Sequence, residues 1–192
     1  MTSPHDQSQY QVRFDWGYSG ALTVASDVDV IVIVDVLTPA AGDDGGKEPA
    51  SRLTPAPKTR LIEGSLRNRN AVAEWVLARQ VEKAGRFTVA VIAVGEVRAG
   101  EGIRFAVEDQ LAAGAIIDAL AVVGIDYCSP EAAAACASFT GLRNAMGHLV
   151  SASASGKELA ALGHAHDVDL AAHVDVSDEV VVLQEYVFRV RG

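Results

Sequence analysis

The chain has 192 residues, a formal net charge of −9 and 49% hydrophobic residues. This length and apolar fraction are sufficient for one domain with a sizeable core. The acidic balance argues against a nucleic-acid partner, because binding to a phosphate backbone requires a basic surface. No apolar run is long enough to span a membrane, and Asp118 interrupts the longest one.

The first part of the chain predicts a polar start, two strands and a long loop. Residues 1–9 are predicted to be disordered and lack the features of a signal peptide. Apolar and polar residues alternate over 10–16, which is typical of a half-exposed edge strand. The Val/Ile-rich segment 28–37 predicts a strand that is covered on both faces. Residues 38–58 contain four of the six prolines and predict a Pro/Gly-rich loop within a single α/β domain over 10–192.

The remainder alternates strands and helices. The predicted elements are a strand over 60–64, a helix from Asn68 or Asn70 to Gly85, a strand over 88–94, a helix over about 104–123, a helix from Ser129, an amphipathic helix over 142–150, a helix with a Ser155–Glu158 capping box, a short helix over 167–174, and late strands over 180–183 and 186–190. This alternation favours a three-layer α/β/α fold with a mainly parallel sheet.

Acidic residues lie where two strands end and where one helix begins. Asp35 follows a run of Val and Ile, where a carboxylate can bind Mg²⁺ or cap the next turn. Glu108 and Asp109 lie in the first turn of a helix, where they can serve a site or stabilise the helix dipole. Glu96 follows Gly95 at the end of another strand and could complete an acidic cluster.

Groups suited to an anion lie in a strand-to-helix turn. Ser65, Arg67 and Asn68 combine a hydroxyl, a guanidinium and an amide with free backbone N–H groups. The alternative is a helix cap with a solvated arginine, and Arg69 is expected to point to solvent. Gly95 permits close approach of a ligand, and Arg104 could face an anionic substrate or be a solvated charge.

The histidines and cysteines carry weaker signals. The histidines near the carboxyl end form a loose group with Asp167 and Asp169 that matches no strong zinc pattern. Cys128 and Cys136 lack metal-site spacing and are expected to be free thiols of a cytoplasmic protein.

Several motifs in this order resemble the 2-phosphosulpholactate phosphatase family. They are VIVIVDVL at 30–37, LIEGSLRNRNAVAEWV from Leu61, TVAVIAVGE at 88–96, RFAVEDQLAAGAIIDALAVV at 104–123, SPEAAAA at 129–135 and SGKEL at 155–159. The resemblance implies a Mg²⁺-dependent enzyme that removes phosphate from 2-phosphosulpholactate in coenzyme M biosynthesis. It places Asp35 in the first motif and Asp109 in the E-D-x-x-x-A-G-A motif, which favours Asp109 for metal binding or water activation.

The expected function is therefore hydrolysis of a small anionic phosphate monoester. Asp35, Asp109, Glu96 and Glu108 are expected to hold Mg²⁺, with Asp35 and Asp109 catalytic. The residues expected to bind substrate are Ser65, Arg67, Asn68, Gly95 and Arg104. The alternative is a non-catalytic or substrate-shifted member that binds an anion or a partner, because Thr38-Pro39-Ala40 stands where the family has an arginine. No glycine-rich fingerprint supports nucleotide binding. The sequence does not determine the oligomeric state, and a homo-oligomer is one possibility.

Overall fold

A four-stranded parallel sheet forms the centre of the protein. The computed structural model describes residues 3–37, 58–98 and 102–182. The strands are β1 (Val12–Trp16), β2 (Val30–Val34), β3 (Arg60–Gly64) and β4 (Val89–Ala93), in the order β1-β4-β2-β3. The two central strands, β2 and β4, are buried at every position, as their uninterrupted apolar sequences predict.

Helices cover both faces of this sheet, which confirms the predicted three-layer α/β/α fold. The longer helices are α1 (Gly17–Val24), α2 (Arg69–Lys83), α3 (Val107–Val122) and α4 (Pro130–Leu142). The shorter ones are α5 (Met146–Ala152), α6 (Ala154–Ala161) and α7 (Ala165–Ala171), and a small antiparallel hairpin consists of β5 (Glu96–Arg98) and β6 (Gly102–Arg104). α1 packs on one face, while α2, α3 and α4 share the core on the other. No helix in the described ranges is both long and apolar enough to cross a membrane.

Helix α3 is the most deeply buried helix in the described part of the chain. Its buried residues run almost without a break from Glu108 to Leu120. Small residues allow α4 to approach it closely: a Cβ atom on Gly114 would lie 2.1 Å from the carbonyl oxygen of Ala135. This close packing fixes the position of the first turn of α3 relative to the sheet.

Several helix ends differ from the predictions. Ser153, not Ser155, caps α6, because its Oγ accepts a hydrogen bond from Gly156 N at 3.0 Å. Ala84, not Gly85, adopts the left-handed conformation that ends α2. Helix α3 begins at Val107 instead of 104, because residues 102–104 pair with 96–98.

Two further differences concern whole elements. The predicted helix over 142–150 is divided, since α4 ends at Leu142, Arg143–Ala145 is a 3-10 helix, and α5 begins at Met146. Helix α1 departs from the sequence-based expectation, because two of the four residues on its buried face, Gly17 and Gly20, are glycines, which disfavour a helix. The Ser129 cap is confirmed, with its Oγ 3.1 Å from Ala132 N.

The amino-terminal residues lie along the outer edge of β1. Residues Pro4–Asp6 form a 3-10 helix, and the buried side chain of Gln7 exchanges hydrogen bonds of 2.9 and 3.0 Å with the backbone of Phe14. These bonds satisfy polar groups that the edge strand would otherwise leave unpaired. Residues 3–9 thus have defined structure instead of the expected disorder.

The carboxyl-terminal part of the described chain lies at the opposite edge. Glu63 N donates a hydrogen bond to the carbonyl of Val181, and Val182 forms an antiparallel bridge with Ile62. Most of the predicted loop, residues 38–57, and the predicted strand over 186–190 lie outside the described residues.

Candidate active site

The carboxyl ends of three neighbouring strands carry the polar groups of the candidate site. The strands are parallel and in register, with Val34 of β2 opposite both Gly64 of β3 and Ala93 of β4. Asp35, Ser65 and Gly95 follow the three strands closely, so all three lie at the same sheet edge. This is where open α/β sheets place ligands.

Asp109 connects the ends of the two central strands. It lies in the first turn of α3 and is only 2% exposed. Its Oδ1 accepts a hydrogen bond from Val36 N at 2.8 Å, and its Oδ2 accepts one from Gly95 N at 2.9 Å. The carboxylate therefore holds the backbone after β2 and the backbone after β4 at fixed positions.

The electrostatics of this edge are dominated by burial and by repulsion among carboxylates. Burial raises the pKa of Asp109 to about 7, and the nearby Asp35 carboxylate contributes to the rise, while the two backbone N–H groups oppose it. Burial and the same Asp35 carboxylate raise the pKa of Glu63. Glu108 is also buried. A cation near Asp35 would relieve this repulsion.

The donor set suits Mg²⁺ in its chemistry, because it consists of carboxylate oxygens. Within residues 3–37, 58–98 and 102–182, no three His, Cys, Asp or Glu side chains are grouped closely enough to hold a metal ion. Mg²⁺ commonly takes only one or two protein carboxylates and completes its shell with water and substrate phosphate. Asp35 and Asp109 are two carboxylates of this edge that could supply them.

A pocket of about 210 Å³ opens beside these carboxylates. Its lining combines the ends of β2 and β3 with helix α7, and the residues are Val36, Ser65, Arg67, Asp167, Leu170 and Ala171. Val36 joins the pocket to the acidic residues, since its backbone N–H is the group that binds Asp109. Arg67 is exposed and has no ion-pair partner in the described part of the chain, so its guanidinium is available to an anion.

Asn68 shapes the turn that presents Ser65 and Arg67. Its Oδ1 accepts hydrogen bonds from Ser65 N at 2.8 Å and Ser65 Oγ at 3.0 Å, and its Nδ2 donates to the carbonyls of Glu63 and Glu179. The Asn68 side chain does not cap α2, although it occupies the cap position. Its amide is committed to the turn, and substrate contact by Asn68 stays a prediction.

Arg69 corrects one expectation, because it does not point to solvent. Its side chain is 15% exposed and forms ion pairs of 2.8 Å with both Asp118 and Asp175. Its guanidinium also lies over the ring of Phe139, 5.2 Å from the centroid. Arg69 therefore ties α2 to α3, to α4 and to the segment after α7.

The hairpin β5–β6 brings two of the predicted site residues into contact with each other. Glu96 and Arg104 form an ion pair across this hairpin. Gly95 has a φ of 65°, and a Cβ there would lie 2.8 Å from the carbonyl oxygen of Arg104. Gly95 thus permits the backbone after β4 to lie close to the hairpin. Metal binding by Glu96 and substrate binding by Arg104 stay predictions.

The sequence patterns do not indicate four of the pocket residues, which are Val36, Asp167, Leu170 and Ala171. Asp167 appeared only within the loose group of histidines. Helix α7 begins 100 residues after Ser65 in sequence, so no local pattern indicates that it lines this pocket.

Comparison with known proteins identifies the family of this chain. The sequence profile described as 2-phosphosulpholactate phosphatase matches residues 50–186, which include the Ser65–Arg67 turn, Asp109 and α7. The match covers more than half of the chain, and the chain belongs to this phosphatase family. No curated protein sequence matches it.

Proposed function

We propose that this member of the 2-phosphosulpholactate phosphatase family hydrolyses a small anionic phosphate monoester in a Mg²⁺-dependent reaction. One observation supports the proposal most directly. The pocket that contains Ser65 and Arg67 adjoins Asp109 through Val36, so an anion-binding group and an acidic group lie at one sheet edge. The substrate named by the family, 2-phosphosulpholactate, is the first compound to test.

Arg67 is the main candidate for contact with the substrate anion. A guanidinium offers several N–H donors in a rigid plane and can bind phosphate, carboxylate or sulfonate oxygens in pairs. Ser65 stands beside it, with its hydroxyl held by Asn68 Oδ1 at 3.0 Å. The turn is therefore already ordered before a substrate binds.

Asp35 and Asp109 are the residues that would hold Mg²⁺. When bound, the ion would neutralise charge on the phosphoryl group and lower the pKa of a coordinated water. The two backbone N–H bonds orient the Asp109 carboxylate, and each of its oxygens retains a second lone pair. Glu108 and Glu96 remain further candidates for this role.

In the metal-free protein a pKa of about 7 suits Asp109 to proton transfer, and a Mg²⁺ ion on the same carboxylate would lower this pKa. A carboxyl group with this pKa is ionised in part of the molecules near neutral pH and can take up or release a proton there. The Asp35 carboxylate supplies part of this shift, which gives Asp35 a role in setting the proton affinity of Asp109.

Phosphate release in the presence and absence of Mg²⁺ tests this proposal. The substrates are 2-phosphosulpholactate, phospholactate, phosphoglycerates and an aryl phosphate. We expect chelator to abolish release and Asp35→Asn to reduce kcat/KM at least about 100-fold, a size typical for loss of a group that acts in the transition state. The control is Asp126→Asn. Asp126 is exposed and lies two residues before Cys128, and Cys128 pairs with Val12 at the end of β1 that is farther from the candidate site.

A second readout does not depend on turnover. Mg²⁺ should raise the Tm of the wild type and have a much smaller effect on Asp35→Asn, because a ligand stabilises only the state that binds it. Asp109→Asn is less suitable for this test. Its NH₂ group would face a backbone N–H, which costs about 1–3 kcal/mol of stability by itself.

The alternative is a non-catalytic or substrate-shifted member. It is favoured by the missing three-ligand group among the described residues and by Arg67, which can bind an anion without metal. A folded protein that binds phosphate monoesters in the pocket but releases no phosphate from any of them with Mg²⁺ would establish the non-catalytic form of this alternative and contradict the phosphatase proposal.

A further inference from the structure

The pocket beside Asp109 contains side chains of opposite charge from different parts of the chain. Ser65 and Arg67 come from the turn after β3, whereas Asp167 comes from α7. The remaining lining residues, Val36, Leu170 and Ala171, are apolar. A ligand in this pocket therefore meets the guanidinium of Arg67, the carboxylate of Asp167 and apolar side chains.

No lysine or arginine in the described ranges pairs with Asp167. Its Oδ2 lies 3.1 Å from Nδ1 of His164, which carries a positive charge only when it is protonated. The Asp167 side chain is 66% exposed. Its carboxylate is thus a hydrogen-bond acceptor at the pocket that can contact a bound molecule without breaking an ion pair with lysine or arginine.

We propose that Asp167 is a specificity-determining residue of this pocket. It favours a phosphate monoester that also carries a hydrogen-bond donor, such as a hydroxyl group, over one that carries a second strong acid group, such as a sulfonate. This inference rests on the proposed function and narrows its substrate class. It makes the chain a substrate-shifted member of its family.

The physical basis is that a hydroxyl group attracts the Asp167 carboxylate by a hydrogen bond, whereas a sulfonate repels it by its charge. A hydroxyl group can donate a hydrogen bond to Asp167, whereas a sulfonate in the same position brings two negative charges together. For an exposed pair about 4 Å apart, this repulsion corresponds to a factor of about five in binding. The volume of about 210 Å³ limits the ligand to a small molecule, so its groups cannot lie far from this carboxylate.

Three compounds with one carbon skeleton test this inference. 2-Phosphosulpholactate, 2-phosphoglycerate and phospholactate carry a sulfonate, a hydroxyl group or a hydrogen on the same terminal carbon. In the wild type we expect kcat/KM for 2-phosphoglycerate to exceed that for 2-phosphosulpholactate at least about five-fold. In Asp167→Asn the sulfonate compound should gain about five-fold, while phospholactate changes less than about two-fold.

The matched control is Asp169→Asn. Asp169 is an exposed carboxylate of the same helix that does not line the pocket, so its removal changes net charge equally. It should leave the ranking of the three compounds as in the wild type. The same gain in Asp169→Asn and Asp167→Asn would show a general charge effect and overturn the assignment.

Calorimetric binding of the same compounds separates this inference from the proposed function. Absence of phosphate release from all three would contradict hydrolysis, and the binding ranking in wild type and Asp167→Asn would then decide the role of Asp167. A wild-type preference for the sulfonate compound, or a ranking unchanged by Asp167→Asn, would overturn the inference even with phosphatase activity intact.

Discussion

Asp109 and Arg67 lie at the same sheet edge but differ in how strongly the fold depends on them. Asp109 is buried and binds two backbone N–H groups, so a substitution there changes both charge and backbone contacts. The Arg67 side chain is exposed, and the fold uses its backbone carbonyl, which accepts hydrogen bonds from Val176 and Ser177. Substitution of Arg67 therefore probes ligand binding with little effect on the fold.

Arg67→Ala should lower kcat/KM for anionic phosphate monoesters about tenfold or more, because a charge-assisted hydrogen bond contributes about 1.5–3 kcal/mol. Its unfolding free energy should stay within about 0.5 kcal/mol of the wild type, since the backbone contacts remain. Steady-state kinetics and urea denaturation measure both quantities. Arg143→Ala, at another exposed arginine outside the pocket, is the control. Equal losses in both variants would remove Arg67 from the site.

At the scale of elements, helix starts depend on contacts that the sequence leaves ambiguous. Ser153 and Ser155 are both plausible caps for α6, and the second one also has a glutamate three residues later. In the structure, Ser153 is buried and bridges two helices, because its Oγ also donates to the carbonyl of Val150 at 2.8 Å. Packing of α5 against α6 thus selects the cap.

Ser153→Ala should destabilise the protein by about 1 kcal/mol, within the range of about 0.5–2 kcal/mol for loss of a helix cap. Ser155→Ala, in the first turn of α6, should change stability by less than about 0.5 kcal/mol. Chemical denaturation of both variants gives the comparison. A larger effect at Ser155 would mean that the predicted capping box, and not Ser153, begins the helix.

At the scale of the whole molecule, stability should depend on pH through the carboxylates at the sheet edge. Burial, with a contribution from Asp35, raises the pKa of Asp109 to about 7 from an ordinary value of 3.8. The folded chain therefore holds a proton that the unfolded chain has already released between these pH values. Because the unfolded state binds fewer protons there, the free energy of unfolding decreases as pH rises from about 4 to about 7.

Asp109→Asn should make this pH dependence shallower, because the substituted group does not titrate. Urea denaturation at several pH values between about 4.5 and 7.5 measures the slope. Glu63→Gln is a useful comparison, since burial and Asp35 also raise the pKa of Glu63. An Asp109→Asn slope identical to that of the wild type would show that Asp109 does not hold a proton near neutral pH.

The main features of the fold were predictable because they depend on local patterns. Continuous apolar residues predict β2 and β4, and Ser129-Pro130 predicts the start of α4. Helix α1 and the hairpin β5–β6 were not predicted. The Glu96–Arg104 pair lies across that hairpin, and residues paired in a short hairpin show little periodicity in sequence.

The sequence alone determined the layered parallel fold, the family resemblance and the candidacy of Asp35, Ser65, Arg67 and Asp109. These follow from apolar periodicity and from residue types at the ends of strands and helices. Only the tertiary structure decided that Asp109 joins the backbone after β2 to that after β4, that Arg69 is an internal ion-pair centre, and that Asp167 reaches the pocket. The physical reason is that each of these contacts joins residues far apart in sequence, which only the tertiary packing brings together.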